Sequence, residues 1–98
     1  MSHNTQLNIK QIFDLAFENQ SKKNFKVAKK LYEKIIEIDP NIINAQFFLG
    51  IIYEELNENK KAINCYEKVI KIEPDNLTSH WLSMNTFPII YRDLNEIE

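Results

Sequence analysis

Glycine, proline and cysteine are scarce in this chain: one, three and one among 98 residues. A single glycine, Gly50, leaves no room for the glycine-rich loop that cradles phosphates. So few turn formers also argue against a fold of many short strands. The lone Cys65 excludes a disulfide framework within the chain and is compatible with a reducing cytoplasm, where we expect the chain. No apolar run approaches the ~20 residues needed to cross a bilayer, and residues 1–8 are polar, without a basic-then-apolar leader. Nor does one sign of charge dominate. Fourteen acidic side chains stand against 12 basic ones, for a net charge of −2. They are mixed along the chain, so there is no basic footprint for nucleic acid and no polybasic patch for anionic lipid. Neither is expected as a partner.

What the chain does have is a repeat. Residues 28–43 return 34 positions later: Ala28 as Ala62, Tyr32-Glu33-Lys34 as Tyr66-Glu67-Lys68, Ile36 as Ile70, Ile38 as Ile72 and Pro40 as Pro74. A fixed period in this range signals stacked supersecondary units that cannot bury their apolar faces alone. It predicts a solenoid whose default function is to present a binding surface.

Each unit resolves into two helices. Ile9, Ile12, Phe13, Ala16 and Phe17 recur at three- and four-residue steps, predicting a first helix over about 8–20. The polar run 20–24 breaks it. A second helix is predicted over about 25–38, with Ala28, Leu31, Tyr32, Ile35 and Ile36 inward and Lys29, Lys30, Glu33, Lys34 and Glu37 outward. Pro40 closes it by disfavouring helical geometry at Asp39. The second unit predicts helices over about 42–56, with Ala45, Phe48, Leu49, Ile52 and Tyr53 inward, and about 59–72, closed by Pro74. Gly50, inside a helix at a cost of roughly 1 kcal/mol relative to alanine, marks a tight crossing. Asn57 falls where a left-handed turn residue is needed. A third leading helix begins at Asn76 with Leu77, Trp81, Leu82 and Met84, and Pro88 interrupts it. The apolar stretch Phe87 to Tyr91 is expected to act as a cap. Asp93 to Glu96 has the form of a capping box, and a helix-start signal so near residue 98 suggests a piece of a longer protein, with a frayed natural terminus as the alternative.

The spacing of Leu49-Gly50, Tyr53, Ala62, Tyr66, Val69 and Pro74 resembles the tetratricopeptide repeat, and Leu15-Ala16, Ala28, Tyr32, Ile35 and Pro40 resemble a second copy. Asn19 and Lys23 depart from the pattern, as an end unit would. The resemblance implies an all-α, right-handed α-solenoid of antiparallel helix pairs, about two and a half repeats: 9–42, 43–76 and a partial 77–87, with a cap or linker over 88–98, in one domain. It further implies a concave groove lined by the first helix of each pair and a protein or peptide partner. A second, shorter resemblance runs through His80-Trp81-Leu82, Phe87-Pro88, Ile90-Tyr91 and Glu96-Ile97. It is similar to the junction between such repeats and an O-linked N-acetylglucosamine transferase-like glycosyltransferase domain in bacterial proteins. That would make the chain the recognition arm of an enzyme.

On the first resemblance, the groove carries an aromatic ladder of Phe13, Phe17, Phe47, Ile51 and Trp81, with Lys10, Asn44 and Glu54 as a polar rim. Family members that grip terminal carboxylates hold Lys, Arg and Asn in the inner slots; Phe13, Phe17 and Phe48 stand there instead, which argues against a carboxylate clamp. The asparagine ladder of the transferase superhelix is also absent, with Asp14, Phe48 and Leu82 in its place. The expected ligand is an apolar or aromatic peptide segment, and the competing readings are internal packing, cover by the Pro88 to Tyr91 segment, or a second copy of the chain joined through the groove or the C-terminal segment. No catalytic constellation, metal site or cofactor is expected. His3 lies in a polar tail, His80 has no ligating partner at helical spacing, and Cys65 has no adjacent histidine. The outer-face charges Lys29, Lys30, Glu33 and Lys34, and Lys60, Lys61, Glu67 and Lys68, read as solvated surface.

Overall fold

The computed structural model describes residues 8–82, and all of its regular structure there is helical. Five helices follow in order: α1 (Ile9–Ser21), α2 (Phe25–Ile38), α3 (Ile43–Glu55), α4 (Asn59–Ile72) and α5 (Leu77–Trp81). Helices α1 and α2 pair, α3 and α4 pair, and the two hairpins meet where α2 packs on α3; α5 then docks on α4. Met84, the cap stretch 88–98, the Asp93 capping box and His3 lie outside the described residues.

Local chemistry explains the boundaries. Asn8 opens α1 by accepting the Gln11 N–H at 2.9 Å, while the Gln11 side chain accepts the Asn8 N–H at 3.2 Å, a reciprocal cap. Asn76, two periods later, caps α5 through the Ser79 N–H at 2.7 Å. Between them the same slot holds Ile42, which makes no cap bond and packs against the core. Both hairpin turns close in the same way. Lys23 and Asn57 have φ of 65° and 63°. In each turn the left-handed residue's N–H returns to the carbonyl three back, Gln20 or Glu54, and the next N–H to the carbonyl five back, Asn19 or Tyr53. Asn57 meets the expectation from sequence; Lys23 adopts the same conformation without the asparagine or glycine that relieves it. Asp39 and Glu73, each before a proline, leave helical geometry and end α2 and α4.

The core runs along the hairpin seams. Ala16, Ala28, Tyr32, Ile35, Ala45, Ile52, Ala62 and Val69 are fully buried, and each large apolar side chain among them contributes roughly 1.5–3 kcal/mol. The close approach at Gly50 is to a ring rather than to another helix's backbone. A Cβ built on Gly50 would meet the Tyr66 ring, with Cδ1 at 2.8 Å, Cζ at 2.9 Å and Cε1 nearer still. Tyr66 donates its hydroxyl to Glu54, and Tyr32, one period earlier, donates to Gln20 at 2.8 Å, so each hairpin is tied by the same tyrosine bond.

Two residues placed on the outer surface by helical periodicity are instead inter-hairpin contacts. Glu33 accepts the Tyr53 hydroxyl at 2.7 Å, and Lys29 reaches Glu58 at 3.6 Å with both side chains mostly covered. Periodicity along α2 cannot register that α3 and the start of α4 lie against this edge of it.

Candidate functional site

Equivalent positions of the leading helices α1, α3 and α5 hold Phe13, Phe47 and Trp81, each 34 residues from the next. Phe48 gathers the rings. Its centroid lies 5.8 Å from Phe13, 5.7 Å from Phe17, 5.7 Å from Phe47 and 6.0 Å from Tyr32. Phe13 sits edge-on to Tyr32 at 5.4 Å and Phe47 tilts over Tyr66 at 6.2 Å, so the contact repeats in both hairpins. Such geometries are the favoured ones for aromatic pairs. The three phenylalanines of the ladder therefore form one cluster across the hairpin boundary, with Phe48 as its hub.

Exposure divides the expected site residues. Phe17 and Trp81 are about half exposed, at 48% and 54%. Phe13, Phe47 and Ile51 are half-buried, the two phenylalanines packed against the core. Lys10 is held by Asp14 at 3.0 Å on the surface. Asn44 is exposed, and the half-buried Glu54 takes the Tyr66 hydroxyl. Phe48, read from sequence as inward-facing, is the member whose organising role periodicity could not show: its counterparts Asp14 and Leu82 are not aromatic.

Burial and hydrogen bonding shift several titratable groups. Burial pushes the Cys65 thiol up to about 12, far from the range of a nucleophilic thiolate. Burial likewise raises Tyr32 to about 12, and burial followed by the bonds to Glu33 and Glu54 raises Tyr53 and Tyr66. Glu58 is held below the usual carboxylate range, first by the Lys61 hydrogen bond and also by Lys29 nearby. Among the described residues no group of three or more His, Cys, Asp or Glu side chains is arranged to hold a metal ion. No described helix is long and apolar enough to cross a membrane.

Paired antiparallel helices, a 34-residue period and a common turn define a helical repeat protein of the solenoid class. Comparison with family models agrees and is more particular: tetratricopeptide repeat models match residues 12–42 and 43–76. The chain belongs to the tetratricopeptide repeat family, whose repeats are generally protein–protein interaction modules. A search of curated proteins finds no match. Of the residues behind the second resemblance, to a glycosyltransferase junction, only His80, Trp81 and Leu82 are among those described.

Proposed function

We propose that the chain is a scaffold that binds an apolar or aromatic peptide segment on the face built by its leading helices. The observation that carries this reading is the Phe48-centred cluster. It holds Phe13, Phe17 and Phe47 in fixed relation while leaving half of Phe17 in water, with Trp81 half exposed at the ladder position one period on. Aromatic side chains are enriched at the cores and hot spots of protein interfaces. A single buried, unpaired cysteine suits a cytoplasmic setting.

A peptide-display selection on the immobilised chain tests the reading. Enriched peptides are expected to carry large apolar or aromatic residues and to bind Phe17→Ala and Trp81→Ala variants about tenfold more weakly, a loss of roughly 1.4 kcal/mol, measured where circular dichroism shows both variants folded, since Phe17 packs on Phe48 and its truncation lowers the unfolding midpoint. Undiminished binding to both variants removes the proposal. Phe13 and Phe47 are the wrong targets: they are half-buried, and truncation costs ~3 kcal/mol of stability.

Self-association is a second reading, favoured by the half-exposed Leu15, Val27 and Ile38 together with the 87% exposed Leu77. Sedimentation velocity over a concentration series tests it, and a single monomer boundary throughout counts against it. The recognition-arm alternative requires a catalytic domain encoded after residue 98, which the reading frame beyond Glu98 tests.

A further inference from the structure

A cleft of about 390 Å³ shares no residue with the aromatic face. Helix α3 supplies its floor through Gln46 and Leu49, α4 adds Cys65, and all three are at least nine-tenths buried. The walls are opposite in charge: α2 contributes Glu33 and Glu37, while α4 contributes Lys61 and Lys68.

We propose that this cleft binds a short extended segment of a partner protein in which a basic and an acidic side chain flank an apolar one. Three observations carry the assignment. On each wall one charge is already engaged, Glu33 by the Tyr53 hydroxyl and Lys61 by Glu58 at 3.2 Å. The other, Glu37 or Lys68, is exposed and in no ion pair among the described residues. Gln46 is 1% exposed and donates its amide N–H to the Pro40 carbonyl at 2.9 Å. Its own side-chain carbonyl accepts no hydrogen bond among the described residues, which leaves an acceptor at the cleft for a backbone N–H. Leu49, Ile36 and the neutral thiol of Cys65 give an apolar floor suited to one aliphatic side chain. The volume falls in the range of ligand sites. A single-signed ligand would meet repulsion from one wall, whereas a segment bearing both signs satisfies each wall with its opposite.

The probe is a fluorescein-labelled peptide with a Lys-Leu-Glu core, titrated with the intact chain and followed by anisotropy. Saturable binding below roughly 1 mM is expected. Glu37→Gln and Lys68→Gln should each weaken it about threefold, and a Gln-Leu-Gln core about tenfold. Both replacements are at exposed positions, and circular dichroism confirms that the variants fold. Phe17→Ala should leave the affinity unchanged, which separates this site from the aromatic face. Absence of saturation, insensitivity to loss of either wall's charge, or loss of binding in Phe17→Ala overturns the proposal.

Discussion

Replacing Gly50 with alanine sets two effects of opposite sign against each other. Alanine gains roughly 1 kcal/mol over glycine in a helix interior. Its Cβ, however, would fall on the Tyr66 ring, with Cδ1 at 2.8 Å and Cζ at 2.9 Å. These are rigid ring atoms of a side chain that is 1% exposed, so the ring must move as a body. Overpacking of this kind costs about 1–3 kcal/mol. Moving the ring also strains the hydroxyl bond to Glu54, which adds about 1 kcal/mol. The two terms of about 1 kcal/mol cancel, so the net expectation is destabilisation of about 1–3 kcal/mol, read as a fall in the urea midpoint of about 1–2 M at a slope of roughly 1.5 kcal/mol/M. The first hairpin provides the control. Ala16 occupies the equivalent slot, fully buried, and Tyr32 still reaches Gln20, so Ala16→Gly should lose about 1 kcal/mol with no clash relieved. A Gly50→Ala variant as stable as the parent would refute the steric reading.

Three further outcomes are expected. Lys23→Gly should stabilise the chain by about 1 kcal/mol, a rise in melting temperature of about 4–8 °C, because it removes the left-handed penalty at φ 65°; no gain would count against a strained turn. Stability should hold up to about pH 9 and fall toward pH 12. Tyr32 and Cys65 have folded values of about 12 against ordinary values of 10.0 and 9.0, so the advantage of their neutral forms is lost as pH climbs between the two; urea midpoints flat across that window would contradict this. Cys65, 6% exposed, should react with an aromatic disulfide reagent about a hundredfold more slowly in the native chain than in urea, and similar rates in the two conditions would show the site to be open.

Much of the fold was legible because signals from different levels agreed. The predicted spans of α2 and α4 match the observed ones because each helix lies between a left-handed turn and a proline-restricted residue, two local constraints that need no tertiary context. Helix α3 starts one residue later than predicted: Ile42 fits the apolar pattern but sits in the cap slot, a role that hydrophobicity does not report. Gly50 announced a close approach without naming the partner, since a ring and a helix backbone impose the same demand on that position. The ladder positions followed from the period, whereas the convergence of four rings on Phe48 depends on how two hairpins sit together. The same dependence hid the engagement of Glu33 and Lys29.

The outward edge of α1 differs in chemistry from its counterpart on α3. Leu49, 3% exposed on α3, corresponds to Leu15 on α1, which is 50% exposed; Ala45, Tyr53 and Leu56 correspond to Gln11, Asn19 and Lys22. Another molecule's trailing hairpin approaching α1 would have to dehydrate an amide-and-ammonium surface for little apolar return. Repeats with matching faces can join head to tail into open filaments; the mismatch between the two leading helices makes α1 a poorer seat for a second copy's hairpin than α3 is for α2.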